Sequence, residues 1–149
     1  MDKDKDKITA VYCRLAQKDD EIIEYQYKKI SRYAAEHGYR NIAVYTDNGE
    51  SGVRFDRPAF SKMCADIVEG KIGVVLANSI DRFGRDSIKV LLWLDELKRQ
   101  GIVVKTLDGF WGDSFSYDMI FHAYKAYKKQ NKFRHKKKLN STSFQRKHD

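Results

Sequence analysis

The apolar positions of the chain fall into short unbroken runs separated by longer amphipathic stretches. Residues 8–12 (ITAVY), 42–46 (IAVYT), 73–77 (GVVLA) and 102–106 (IVVKT) are brief, apolar and β-branched. That pattern predicts strands, and the unbroken run of the third suits a strand covered on both faces. Between them the period changes. Ile22, Ile23, Tyr27, Ile30, Tyr33 and Ala34 follow helical spacing. Their helix is expected to start at Asp19, Asp20 and Glu21, whose acids suit the positive end of the dipole, and to run to about His37, with Gly38 as its stop. Pro58 stands at a favoured first helical position after Asp56, read as the cap, and that helix is expected over 58–68 with its end near Gly70. A third helix is expected over 86–100, stopping at Gly101. Strands alternating with helices of this length predict an α/β fold with a largely parallel sheet flanked by helices.

A further helical stripe follows the fourth strand. Tyr117, Ile120, Phe121, Tyr124 and Tyr127 recur on one face, while Lys125, Lys128, Lys129 and Lys132 occupy the other. Such a stripe either packs on the sheet or forms a subunit interface, where large aromatics are at home. The expected organisation is an α/β domain over 7–115, a C-terminal amphipathic helix with a basic face over 116–138, and an aperiodic, disordered tail over 139–149. The loop 47–57 carries two glycines and no period.

Composition bounds the class. With 149 residues, 42% of them hydrophobic and 13% aromatic, the chain can form one real core and bury roughly 70% of its unfolded surface. Two cysteines, Cys13 and Cys64, lack any CxxC spacing and read as the reduced thiols of a cytoplasmic protein, not as a disulfide scaffold. No apolar run approaches the roughly 20 residues that span a bilayer, so no membrane partner is expected. The opening MDKDKDK has no apolar region behind it and does not read as a signal peptide. The net charge of +8 is unevenly placed. Residues 1–124 hold 19 basic and 20 acidic side chains, a net of −1, whereas residues 125–149 hold 10 basic and 1 acidic, a net of +9. The basic residues Lys125, Lys128, Lys129, Lys132, Arg134, Lys136, Lys137 and Lys138 therefore form a candidate polyanion-binding tail, with nucleic acid as the expected partner; the alternative is a merely solubilising end.

In an open α/β sheet, chemistry gathers at the carboxyl ends of the strands. There the first strand delivers Tyr12 and Arg14 on one face by alternation, with Ala16 following if the extended path persists. The second strand leads to Arg54 and Arg57, and the third to Asp81, Arg82 and Arg85. A cluster of Arg14, Arg57, Arg82 and Arg85 would repel itself without an anion, and a guanidinium presents paired donors that match phosphate oxygens. Arg82 and Arg85 also precede a helix start, where free N–H groups favour an anion. Asp81 could orient a guanidinium or handle a proton.

Three ordered motifs carry a family resemblance over roughly residues 7–110. Tyr12-Cys13-Arg14-Leu15-Ala16 resembles the Y-C-R-V-S opening of the serine recombinases (resolvases and DNA invertases). Glu50-Ser51-Gly52-Val53-Arg54-Phe55-Asp56-Arg57-Pro58-Ala59-Phe60 resembles their Y-S-G-x-x-x-D-R-P-x-F motif. Ile80-Asp81-Arg82-Phe83-Gly84-Arg85 resembles their x-D-R-[LF]-[SG]-R motif, and Gln26 falls where many members have a glutamine. The resemblance implies a protein that binds paired DNA sites as a homodimer, assembles into a tetramer, and breaks and rejoins strands through a 5′-phosphoserine link that needs neither ATP nor metal; no cofactor is implied. It implies that Arg14, Arg57, Arg82 and Arg85 hold the phosphate, that Asp81 orients them or assists proton transfer, and that Tyr12 and Gln26 support the site.

The chain departs from that family at the decisive position. Ala16 stands where the family has its serine, and a methyl group cannot attack phosphorus. Ser31, Ser51, Ser79 and Ser87 sit at positions the motifs assign to other structure, and Tyr12 lies two residues too early. The expected helix after Tyr117 lacks the family's E-R pair, and no cysteine follows Cys64 to build a zinc-bearing DNA-reading module. The expectation is a recombinase domain inactive for cleavage. The alternatives are a non-catalytic DNA-binding or regulatory relative and, more remotely, a flavodoxin-like nucleotide-binding domain. The last explains the arginines but not the motifs, and CRLAQKDD offers no glycine-rich phosphate loop.

Overall fold

The computed structural model describes residues 6–108 and, beyond them, Lys125 and Lys129. Within residues 6–108 four strands and three helices alternate: β1 (Ile8–Leu15), α1 (Asp20–Glu36), β2 (Ile42–Asn48), α2 (Pro58–Val68), β3 (Ile72–Ala77), α3 (Ser87–Arg99) and β4 (Val103–Thr106), with a 3-10 turn, Ile80–Arg82, between β3 and α3. The sheet order is β2-β1-β3-β4 and every pairing is parallel. This is the α/β architecture that the alternating periods predict. The expected C-terminal helix, its face of Lys128, Lys132, Arg134, Lys136, Lys137 and Lys138, and the tail lie outside the described residues. Lys125 and Lys129 belong to a second unit, Ser116–Asp149, where both are helical and exposed.

Each element follows from its residues. Asp19 caps α1, its carboxylate accepting from the backbone N–H of Glu21 and Ile22, and Asp86 does the same for α3 through Ile88 and Lys89. The exits are alike. Gly38, Gly70 and Gly101 all adopt φ near +75°, the left-handed conformation glycine takes at no steric cost. In each case the next residue's N–H returns to a helix carbonyl: Tyr39 to Ala34, Lys71 to Asp66, Ile102 to Leu97.

The sheet is covered on both faces. On one, Ala10, Tyr12, Tyr45, Val75, Ala77 and Val104 pack under Phe60, Met63 and Ile67 of α2 and Val90, Leu94 and Leu97 of α3. On the other, Val11, Cys13 and Leu76 pack under Ile30 and Ala34 of α1. The alternation of β1 thus sends Tyr12 and Cys13 into different cores.

Two local expectations are corrected. β2 continues through Asp47 and Asn48, which a reading by hydropathy assigns to the loop, because both still pair with Arg14 and Leu15 of β1. The cap of α2 is not Asp56. Arg57 occupies the capping position and makes no side-chain cap bond. The donors are satisfied by Asp47, whose Oδ1 accepts from Ala59 N at 2.8 Å and Oδ2 from Phe60 N at 3.0 Å. Asp47 Oδ2 also accepts from the Tyr12 hydroxyl at 2.8 Å. One buried carboxylate therefore joins β1, β2 and the start of α2.

Asp47→Ala removes a helix cap and leaves the buried Tyr12 hydroxyl without its acceptor. It is expected to cost about 2–4 kcal/mol in urea unfolding. A loss below about 0.5 kcal/mol, the level of an ordinary surface change, contradicts this account. Burial also pushes the Cys13 thiol up from 9.0 to about 12, against the opposing pull of Arg82. Burial, reinforced by its 2.6 Å hydrogen bond to Asp66, raises Tyr45 too. Between the unfolded and folded thiol values the unfolded chain gives up a proton that the folded chain keeps. The contribution is complete below about pH 9 and is lost as the pH climbs toward 12, at up to about 1.4 kcal/mol per pH unit for one group. Urea midpoints are expected to fall across that range, and Cys13→Ala to flatten the fall.

Candidate functional site

The motif residues meet at the carboxyl edge of the sheet, where β1 and β3 stop being neighbours. Tyr12 pairs with Ala77 at the last rung of β3. Beyond it, Arg14 has β2 on one side, and on the other its backbone is completed by side chains. Gln26 of α1 accepts from Arg14 N at 3.0 Å, and Arg82 Nη1 donates to Arg14 O at 3.0 Å. Gln26, buried under α1, replaces the missing rung. β1 can then extend to Leu15 although β3 has already turned away.

The Arg14 side chain is 2% exposed. Its guanidinium donates from Nε to Arg82 O (2.9 Å), from Nη2 to Asp81 O (2.8 Å) and from Nη1 to Glu50 O (3.2 Å). The 3-10 turn presents the first two carbonyls and the loop after β2 presents the third. Burial, followed by Arg57 and then Arg82, pulls Arg14 down from its ordinary value, with Tyr12 and Asp81 opposing.

Arg57, 1% exposed, is enclosed by rings. Its guanidinium carbon lies 4.4 Å from the centroid of Phe60 and 5.6 Å from those of Tyr12 and Phe55. Nη2 donates to Phe83 O, while Nε and Nη1 have no hydrogen-bond partner among the described residues. Ring faces are electron-rich and offset part of the cost of burying the cation. The enclosure is itself tied together, since Tyr12 stacks on Phe83, and Phe60 and Phe83 both pack on Trp93.

Arg82 and Arg85 are more accessible. Arg82 is half-buried, with Nε unpartnered among the described residues, and Arg85 is exposed. The Arg85 backbone N–H donates to Gly52 O at 2.9 Å. At Gly52 an added Cβ would lie 2.8 Å from Arg14 Nη2 and 3.0 Å from Arg85 Cγ, so only glycine lets the loop settle against both arginines. Asp81 is exposed, and its carboxylate accepts the Ser79 hydroxyl while its carbonyl is taken by Arg14. Burial and the bond to Asp47 push the Tyr12 phenol far above its ordinary value. A fully buried phenol that holds its proton this firmly is no nucleophile.

The structure therefore brings together most of the residues singled out in the sequence, in two kinds. Arg14, Arg57, Tyr12 and Gln26 are buried, whereas Arg82, Arg85 and Asp81 reach toward solvent. Ala16 is exposed, but the extended path does not persist to it. β1 ends at Leu15, whose carbonyl accepts from Gly49 and Glu50, and Ala16 lies in the bend that follows. Sequence reasoning missed Asp47 and gave Gly52 no role of its own. Asp47 looks like the first loop residue, and its helix begins eleven positions later, outside any local capping pattern. Gly52 stood in plain view within the second motif, but what excludes a side chain there is visible only with Arg14 and Arg85 in place.

This arrangement can be set beside known proteins. The family described as Resolvase, N terminal domain, matches residues 9–144. A Bacillus subtilis (strain 168) protein whose name includes the words DNA recombinase is 27% identical over 116 residues, which cover 75% of this chain and 23% of that protein. The chain thus spans about a quarter of that relative's length. The N-terminal catalytic domain of TP901-1 integrase superposes with a TM-score of 0.71 at 22% identity, covering 85% of this chain and 97% of that domain. A resolvase family site-specific recombinase from Streptococcus pneumoniae superposes with a TM-score of 0.68 at 22% identity, covering 96% and 99%. At such identities the structural likeness establishes the fold, and the family match, running across most of the chain and through all three motifs, establishes the kinship: the chain belongs to the resolvase family of serine recombinases, through its N-terminal domain.

Proposed function

We propose that this chain is the catalytic-type domain of a DNA site-specific recombinase that engages a backbone phosphate but does not cut it. The observation that carries the reading is the gathering of the motif arginines at the strand end that Ala16 follows: Arg14 and Arg82 bond each other's carbonyls, Arg57 bonds the Phe83 carbonyl of the same turn, and Gly52 packs against both Arg14 and Arg85. In the family reaction a serine oxygen attacks phosphorus, the bond to the 3′-oxygen breaks, and the 5′-phosphate stays on the protein. A later attack by a partner strand's 3′-hydroxyl reverses the link. Arginines oppose the charge of the five-coordinate phosphoryl group, and Asp81 stands beside them for orientation or proton transfer. Ala16 supplies no attacking oxygen, so the electrostatic machinery remains without its nucleophile.

In this reading residues 7–115 form the catalytic-type domain, 116–138 the helix with a basic face, and 139–149 the tail. DNA is held by Lys125, Lys128, Lys129, Lys132, Arg134, Lys136, Lys137 and Lys138 through phosphate contacts that fix position without reading sequence. The working unit is a homodimer that pairs into a tetramer on DNA, in the cytoplasm. Among the described residues no helix is long and apolar enough to cross a membrane. Ala16 also favours a second reading, a non-cleaving recombinase relative that occupies DNA or partners an active chain.

Incubated with supercoiled DNA carrying its site, the chain is expected to yield no strand breaks. Ala16→Ser is expected to restore nicking, with protein covalently attached to 5′ ends. Breaks with 5′-linked protein from the alanine form refute the proposal, and an Ala16→Ser protein that binds but never nicks favours the second reading. Deleting residues 125–149 is expected to weaken DNA binding and to lower the salt slope by about 0.9 for each phosphate the tail neutralises. An unchanged slope removes the tail from the interface.

A further inference from the structure

Resting on the phosphate reading of this site, we infer that Asn48 is a positioning residue: its side-chain amide clamps the far end of the bend 16–19 and so fixes where residue 16 stands at the end of β1. Three observations carry this. First, the bend is held at both ends by one short segment, Asn48-Gly49-Glu50. At the near end Leu15 O accepts from the N–H of Gly49 and of Glu50, each at 2.9 Å. At the far end Asn48 Oδ1 accepts from Asp19 N at 3.0 Å, and Asn48 Nδ2 donates to Asp20 Oδ1 at 2.9 Å. Secondly, the segment touches the bend between those anchors. Gly49 has φ +96°, and a Cβ there would lie 3.2 Å from Lys18 Cβ, so glycine lets the two loops lie this close. Thirdly, each anchor continues into something fixed. The carbonyl of Glu50 accepts from Arg14 Nη1, and the carboxylate of Asp19 caps α1 through Glu21 and Ile22. Ala16 and Gln17 are thus the exposed crest of a short bend with both feet held.

The far anchor needs a side chain with a donor and an acceptor at its tip, which the Asn48 amide supplies. A carboxylate in its place could still accept from Asp19 N but would face the Asp20 carboxylate with like charge. Displacing a reacting atom by about 1 Å can cost about a hundredfold in rate, so the feet of this bend bear directly on a reaction at residue 16.

The test uses the full chain carrying Ala16→Ser, supercoiled DNA bearing its site, and backbone amide exchange. Asn48→Ala is expected to lower nicking at saturating DNA about thirtyfold, the factor two ordinary hydrogen bonds are worth, and to leave DNA affinity unchanged. Asn48→Asp is expected to nick as slowly. Adding Asp20→Asn to Asn48→Asp rebuilds the pair with donor and acceptor exchanged, and is expected to recover most of the lost rate. In the chain with Ala16, Asn48→Ala is expected to speed exchange of the Asp19 amide about fivefold, the factor for one such bond, while the Val11 and Leu76 amides in the sheet stay protected. Equal nicking with and without the Asn48 amide overturns the proposal, as does a double variant no faster than Asn48→Asp alone. If Ala16→Ser never nicks, the cleavage reading of the site fails, and the Asp19 amide decides the clamp: faster exchange in Asn48→Ala supports it, and an unchanged rate overturns it.

Discussion

Two guanidinium groups lie inside this protein without a hydrogen-bonded carboxylate among the described residues, and the carboxyl edge of the sheet is organised around making that tolerable. A buried charge is costly unless its donors are satisfied. Arg14 meets the cost with three carbonyls, and Arg57 with one carbonyl and a set of ring faces. Carbonyl dipoles and quadrupoles, unlike a carboxylate, do not neutralise a cation. The positive potential therefore survives burial and is felt at the rim, where Arg82 and Arg85 add to it. A site built on salt bridges would have cancelled that field.

The same choice explains the loop geometry. Backbone carbonyls are available only where a chain has left its ladder, so the 3-10 turn after β3 and the loop after β2 must both stop short of regular structure to supply them. Gln26 performs the complementary service for β1, meeting the backbone of Arg14 where β3 no longer can. Asp47 then binds the start of α2 and the Tyr12 hydroxyl, which fixes the strand that carries Arg14 against the helix that begins beside Arg57.

Much of this was legible in the sequence. The four strands, three helices and their glycine exits follow from local periodicity and φ preference, which act over a few residues. The motif arginines were legible as a set because residue type and loop position suffice to place them at one edge. What the sequence did not disclose is their division into buried and exposed members. Arg57 and Arg85 are equally polar on paper, and only the arrival of Phe55, Phe60 and Tyr12 from three separate elements encloses one and leaves the other free. The capping role of Asp47 was hidden for the same reason, since its partners come from distant positions and no local pattern records them.

The three helix exits have a structural corollary. Because α1, α2 and α3 each leave through the same glycine turn and reach the next strand after three to five residues, the rim of the sheet bearing Gly38, Gly70 and Gly101 is closed by short connections. Among the described residues the two long connections, 49–57 and 78–86, lie at the opposite rim. The architecture thereby separates a conserving end, which sets strand spacing, from an inventive end, whose loops can be lengthened or exchanged while the scaffold beneath them keeps its dimensions.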